Sequence, residues 1–150
     1  MRDLDILAQL RLRCDPAEER RIRRVWQRLT LGMGANDPDI LQASFTPDCR
    51  LELASGERIW RGHTGLLQFY SELQCALPDL TLTPSVVVIG PQGVFEQAQI
   101  GGTHVCDWGP FIATGERITF EVLMYFWWER PAGRFGGQRI WFFSPTSDPL

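Results

Sequence analysis

RITFEVLMYFWWER, residues 117–130, decides the fold. Phe120, Val122, Met124, Phe126 and Trp128 share one parity; Glu121, Leu123, Tyr125, Trp127 and Glu129 share the other. Successive side chains of a strand point to opposite faces. The first set is therefore an unbroken apolar face, and it predicts a long strand with that face inward. Its longest apolar run, Val122 to Trp128, is far short of the roughly 20 residues that cross a bilayer.

The neighbouring segments extend this strand into a sheet. Residues from Val94 to about Cys106 form a second strand, with Glu96, Ala98, Ile100 and His104 on the inward parity. Gln97, Gln99 and Thr103 take the solvated parity, with Phe95 among them. A loop containing Gly109-Pro110 and Thr114-Gly115 joins the two strands. Residues 80–89 form another, broken by Pro84, which has no N–H for a ladder and marks an edge or a bulge. Gly90-Pro91-Gln92-Gly93 turns it back. Downstream, a Pro- and Gly-rich turn (131–137) leads to a last strand, Arg139 to Phe143. Long strands joined by hairpins predict an antiparallel sheet.

The first half is helical. Asp15-Pro16-Ala17-Glu18 reads as a capping box with proline at the first helical position. Ile22, Val25, Trp26, Leu29 and Met33 follow at helical spacing, and Gly32 and Gly34 end the helix. Asp37-Pro38 starts a short helix with Ile40, Leu41 and Phe45, stopped by Pro47. Cys49, Leu51 and Leu53 alternate with Arg50 and Glu52, as in a half-buried strand. Gly62 opens a third helix, with Leu66, Phe69, Tyr70, Leu73 and Leu77 as its inner stripe and Pro78-Asp79 as its end. Residues 3–13 form a further helix on the outside.

With 150 residues, 44% of them apolar, the chain is one α+β domain with helices against one face of a curved sheet. All 15 basic residues are Arg, so no side-chain Schiff base is available. The net charge of −3 argues against a nucleic-acid partner. The run Arg20, Arg21, Arg23, Arg24, Arg28 lies opposite the apolar face of its helix and reads as a solvated surface. Cys14, Cys49, Cys75 and Cys106 have neither metal-site nor redox-motif spacing, and read as buried free thiols in a reducing compartment. With charges breaking every apolar stretch of the N-terminus, the expectation is a cytoplasmic protein with no membrane partner.

The motifs between these elements resemble those of the SnoaL-like polyketide cyclases, within the nuclear-transport-factor-2-like superfamily. Glu57-Arg58-Ile59-Trp60-Arg61-Gly62 resembles the family's approach to its third helix. Ala76-Leu77-Pro78-Asp79-Leu80, Gly102-Thr103-His104 with Gly109-Pro110-Phe111 and Thr114-Gly115, and Gly136-Gly137-Gln138-Arg139-Ile140-Trp141 follow in family order. The resemblance implies a cone-shaped α+β barrel: a strongly curved sheet wrapped around a long helix, an apolar pocket inside, and homodimers through the convex face. It divides the chain into an N-terminal extension (1–14), a SnoaL-like domain (15–144) and a tail (145–150). Cyclases of this family close a ring by an intramolecular aldol reaction without metal or cofactor, using a pocket carboxylate as acid and base. By spacing from Thr114-Gly115, the family's catalytic Asp falls at Met124, which cannot move a proton. Glu121 is the nearest carboxylate, and its parity puts it outside. Leu51 and Leu53 occupy positions where ketosteroid isomerases of this fold keep a base, and the Asp-Arg-Asp set of its epoxide hydrolases is absent.

His104, Asp107 and Glu96 are thus the candidate catalytic groups. His104 is on the inward parity in the Gly-Thr-His motif; the rival reading is a structural histidine at the sheet end. Asp107 follows it at the pocket mouth; the rival is a loop Asp bonded to its own backbone. Glu96 is inward near a strand start, where the rival is solvation. His63 caps or faces water at its helix start, and Glu52 faces water between Leu51 and Leu53. Trp26, Phe45, Trp60, Phe69, Tyr70, Met124, Phe126 and Trp141 are the candidate walls for a small apolar or aromatic ligand. Two functions follow: a cofactor-independent acid/base enzyme of the polyketide or ester cyclase type acting on an apolar carbonyl, or a non-catalytic ligand-binding dimer. A carboxylate within reach of His104 inside a closed pocket would favour the first. Both faces of the last two strands are apolar, which predicts the dimer; the rival cover is the N-terminal segment, with Leu4, Leu7 and Leu10.

Overall fold

Helices begin where their capping residues predict. The structure, a computed structural model, describes residues 6–13, 15–54 and 58–143 and the backbone of Thr146–Ser147. Leu4, Cys14 and Glu57 lie outside the described residues. After the short α1 (Ile6–Arg11), α2 (Pro16–Ala35) starts at Asp15, whose carboxylate accepts the Glu18 N–H at 2.7 Å. The two glycines expected to end α2 lie inside it. The helix closes at Asn36, left-handed with φ 48, whose N–H caps the last turn. Gly32 is instead a packing residue: a Cβ there would meet Ile40 Cγ2 at 2.5 Å. Its absence lets α3 (Pro38–Ser44), capped by Asp37, lie close against α2.

The helix expected to carry Phe45 stops at Ser44, and β1 (Phe45–Leu53) begins there, earlier than Cys49. Pro47 does not block it, because the pairing with the sixth strand shifts between Phe45 and Arg50 and requires no regular ladder at Pro47. The short β2 (Ile59–Arg61) pairs with β1 and leads into α4 (Gly62–Ala76). Leu66, Phe69, Tyr70, Leu73 and Leu77 are all buried on the inner side of α4, as its stripe predicts.

The second half is the sheet: β3 (Thr81–Gly90), β4 (Gly93–Thr103), β5 (Arg117–Glu129), β6 (Arg134–Phe142) and β7 (Thr146–Ser147). Six strands run in the order β2-β1-β6-β5-β4-β3, and β7 pairs with β5 off this path. Among the described residues only β1 and β6 are parallel neighbours, so the sheet is mixed, and it is open between β2 and β3. β3 is an edge with a register shift between Pro84 and Val86, the place proline tolerates. β6 starts five residues earlier than expected. Gly136 and Gly137 lie in the strand and not in a turn, because the Trp127 ring is laid on them. A Cβ at Gly137 would sit 2.0 Å from that ring and 2.2 Å from the Arg50 carbonyl oxygen.

Parity holds along β4 and β5. Glu96, Ala98, Ile100, Phe120, Val122, Met124 and Phe126 are buried on the inner face. Outward, the register aligns Val88, Phe95, Tyr125 and Arg139 in one row and Val86, Gln97, Leu123 and Trp141 in the next. Glu52 is also outward but not simply solvated: Arg50 at 2.7 Å and Arg139 at 3.2 Å flank its carboxylate. α1 does not cover the sheet with its leucines, since Leu7 and Leu10 are 56% and 74% exposed. The segment is held through the Gln9 and Arg13 carbonyls, which accept from Gln92 and Arg130. Nor are all thiols buried: Cys49 is, while Cys75 is exposed and Cys106 half-buried. Among the described residues no helix is long and apolar enough to cross a membrane.

Candidate active site

Three strands and two helices converge on Met124. The register sets it between Glu96 on β4 and Ile140 on β6, all three facing inward. α4 lays Phe69, Tyr70 and Leu73 over this face, and α2 contributes Trp26 and Met33. A cavity of about 30 Å³ remains, lined among others by Met33, Tyr70, Met124, Gln138 and Trp108. Its walls are apolar except at one polar chain. The Tyr70 hydroxyl donates to Gln138 Oε1 at 2.7 Å, with the Met33 sulfur 3.1 Å away. The Gln138 amide in turn donates to the Met124 sulfur at 3.3 Å.

Two groups here are left unsatisfied among the described residues: the Trp108 Nε1–H at the cavity wall, and the Glu96 carboxyl facing Met124. Glu96 has no exposed surface. Its Oε2 accepts the Trp26 Nε1–H at 3.2 Å, and its Oε1 is buried with no partner. A buried carboxylate with one lone hydrogen bond strongly favours its neutral form. Burial therefore pushes its pKa up from 4.5 to about 7, with the Trp26 bond pulling the other way. Tyr70 is pushed well above the ordinary phenol range, by burial first and by the Glu96 charge second, so its hydroxyl keeps its proton. The inner face thus carries a carboxyl poised between its two forms and, close enough to feel its charge, a hydroxyl that stays protonated.

The other expected residues fall into three groups. Phe69, Tyr70 and Met124 line the cavity, and Trp26 holds Glu96. Phe45 and Phe126 pack on Phe135, and Trp60 packs edge-on against Phe69, so these three are core. Trp141 is a correction: it points outward opposite Leu123, under the Arg139 guanidinium at 5.3 Å. On this part of β6 the inward residues are Gln138, Ile140 and Phe142.

His104 is buried just beyond the end of β4, its ring 5.8 Å from that of Phe120 and its Nε2 without a partner. Eight residues of chain, about 26 Å of strand, separate it from Glu96. Among the described residues no carboxylate reaches its Nε2, and Glu96 and His104 do not converge on one point. Its backbone instead closes the loop, pairing with Gly115 and Glu116. Asp107 is exposed and accepts the Ala113 N–H at 2.7 Å, the loop-bonded arrangement. His63 Nε2 lies 3.0 Å from the Phe45 carbonyl oxygen and ties α4 to β1. The Ala-Leu-Pro-Asp-Leu and Gly-Thr-His motifs serve one joint: Asp79 accepts from the Thr103 N–H and hydroxyl at 2.7 and 2.9 Å.

Gln138 is the site residue that sequence reading missed. Extending the last strand back past Arg139 would have given it the parity of Ile140, and a polar residue at an inward position is the signal. Trp108 was missed because it sits in a loop with no periodicity. Among the described residues no three of His, Cys, Asp and Glu come together as metal ligands.

The SnoaL-like domain profile matches residues 22–135. No curated protein matches the chain. Among solved structures, a protein of Jannaschia sp. CCS1 named as a SnoaL-like polyketide cyclase superposes with a TM-score of 0.74 at 19% identity, over 87% of this chain and 90% of its own. TsrD from Streptomyces laurentii gives 0.67 at 19%, over 86% and 90%. An LEH-like epoxide hydrolase of M. tuberculosis gives 0.63 at 17%, over 84% and 85%. At such identities the likeness is one of fold.

Proposed function

This chain belongs to the SnoaL-like domain family, and from that premise we propose that it is a small-molecule enzyme in which Glu96 moves the proton. The reaction is acid/base chemistry on an apolar carbonyl compound, of the intramolecular aldol kind that closes polyketide or ester rings, and it uses side chains alone. The observation that carries this reading is the buried, unpartnered Oε1 of Glu96 directly across the ladder from Met124. The family resemblance implies a carboxylate at position 124; here methionine stands there, and a carboxylate occupies the facing position on the next strand. Relocation by one strand keeps the group on the same inward face, beside Met124, which lines the cavity.

The steps follow from the geometry. Ionised Glu96 takes a proton from the carbon beside a carbonyl, with Trp26 holding Oε2 so that Oε1 is the basic atom. The negative charge that develops on the carbonyl oxygen meets the Tyr70 hydroxyl, which turns from Gln138 to donate. The neutral carboxyl then returns its proton to the new alkoxide once the ring bond has formed. A pKa of about 7 suits both roles at neutral pH. A 30 Å³ cavity holds no more than about one water, so substrate needs an opening. Met33, Tyr70, Leu73 and Leu80 wall both this cavity and a hollow of about 40 Å³ beside Asn36 and Leu77, and of these the unbranched Met33 thioether moves aside with least strain.

Solvent proton exchange tests the reading without a known substrate. Apolar carbonyl compounds with an acidic C–H, incubated with the protein in D2O, should gain deuterium in an enzyme-dependent way that Glu96→Gln abolishes. Ligands that bind but never exchange would instead support a non-catalytic binding protein, the reading that methionine at position 124 favours. Tyr70→Phe should lower kcat about 100-fold with little change in KM, the loss expected for one donor to a developing oxyanion. A change confined to KM would remove Tyr70 from the chemistry.

The proposal includes a homodimer through the convex face. Val86, Val88, Phe95, Leu123, Tyr125 and Trp141 dominate two adjoining outward rows that also hold Gln97 and Arg139, and Phe95 and Val88 are 39% and 56% exposed. A two-fold axis lets this patch bury itself. Trp127 is no probe of it, because its own chain already covers that ring. Light scattering at micromolar concentration should give twice the chain mass of 17.2 kDa. Phe95→Glu should weaken association on the order of 100-fold, the effect of an unpaired charge within an interface. A wild-type particle of single-chain mass rules the dimer out.

A further inference from the structure

We propose that Cys75 and Cys106 are a redox-active pair that closes to a disulfide and ties the end of α4 to the loop after β4. Their sulfurs lie 2.9 Å apart, although 31 positions separate them in sequence. The backbone makes this contact independently of the thiols. The Val105 N–H donates to the Ala76 carbonyl at 2.9 Å, and moving one residue outward from each partner brings Cys106 opposite Cys75. Asp79 adds two bonds to Thr103, so two contacts in succession fix the helix end to the strand end on the side of the pair that faces β4. Two thiols held this way need little backbone movement to bond, the condition that most cysteine pairs fail.

Access and chemistry agree with the geometry. Cys75 is exposed and Cys106 half-buried, so a small oxidant reaches the first and the second resolves the intermediate. The co-reactant is a small-molecule disulfide such as oxidised glutathione. Cys75 as thiolate attacks one of its sulfurs, forms a mixed disulfide and releases one small thiol. Cys106 as thiolate then attacks the Cys75 sulfur and displaces the second small thiol. Two protein thiols become one disulfide, and one small disulfide becomes two thiols.

The bridge has a local consequence. Cys106 lies two residues before Trp108, a wall of the inner cavity whose backbone closes a tight turn with Phe111. Oxidation fastens this loop to α4 at its start. The bond itself stands apart from the chemistry proposed for Glu96, and it is tested apart from it.

The folded full-length chain, incubated with oxidised glutathione at neutral pH, should lose two hydrogen atoms by intact mass. Peptide mapping should place the new bond between Cys75 and Cys106, and dithiothreitol should reverse it. Cys75→Ser should form no bridge, and Cys106→Ser should stop at the glutathione adduct on Cys75. Amide hydrogen exchange across residues 105–115 should slow in the oxidised wild type and stay unchanged in oxidised Cys106→Ser. A bridge through Cys14 or Cys49, or independent glutathione adducts on Cys75 and Cys106 with no internal bond, would overturn the proposal.

Discussion

Replacing Glu96 with glutamine should remove activity and at the same time stabilise the protein at alkaline pH. Turnover should fall at least about 100-fold, the lower end for losing a general acid/base. The stability change follows from the folded pKa of about 7 against an ordinary 4.5. A raised carboxyl pKa means that the folded state holds its proton more tightly than the unfolded chain does. Below about pH 4.5 both states are protonated and Glu96 costs nothing extra. Between there and pH 7 the unfolded chain releases the proton while the fold keeps it, so stability falls as pH rises. Above pH 7 the cost is complete, roughly 3 kcal/mol at 1.36 kcal/mol per pKa unit. Glutamine keeps the Trp26 bond and carries no charge, but its amide brings a donor with no partner. The expected net gain is about 2 kcal/mol at pH 8 and close to zero at pH 4, read from urea unfolding. Equal effects at the two pH values would contradict the burial of a charge at this position.

The largest structural loss should come from Gly93→Ala. Gly93 begins β4 with φ 135, a conformation side chains rarely adopt, and an added Cβ would lie 1.9 Å from the Phe126 carbonyl oxygen. That oxygen belongs to the neighbouring strand, so β4 and β5 must part or the turn must be rebuilt. Strain and overpacking together should cost about 3 kcal/mol or more, lowering Tm by roughly 10 °C for a domain of this size. Because Gly93 sets the start of β4, the same change moves Glu96 and should impair ligand binding as well. Gly34→Ala is the control: nothing lies within 4 Å of its added Cβ, and alanine in an exposed helix should be neutral or gain up to about 1 kcal/mol. Similar Tm values for the two variants would contradict the close β4–β5 approach.

The sheet was legible because its sequence obeys a period of two. Alternation along residues 117–130 fixed which side of β5 faces in, and that side is buried from Phe120 to Phe126. Pro84 announced the edge, and Asp15 and Asp37 announced two helix starts. Glycine misled where it served packing: Gly32 admits Ile40, and Gly136 and Gly137 admit Trp127, yet in sequence each looks like a stop. Glu96 and Met124 were each legible as inward positions, but that they face each other across the ladder was not. What could not be read was which polar groups meet. Tyr70 and Gln138 are 68 positions apart and touch only because α4 crosses β6. His104 illustrates the converse, since inward parity placed it in the core but could not say how far along the strand the cavity ends. The Cys75–Cys106 contact likewise depends on the α4–β4 joint and leaves no spacing signal.

Carbon-detected NMR of the glutamate side-chain carboxyls, followed from pH 3 to 9, tests the central claim directly. One resonance should titrate with a midpoint near 7 and disappear from the spectrum of Glu96→Gln, marking a pocket carboxyl that can both take and return a proton at neutral pH. If every glutamate in the wild-type protein titrates near the ordinary value of about 4.3, Glu96 is not the poised group of this site and the proposed chemistry fails.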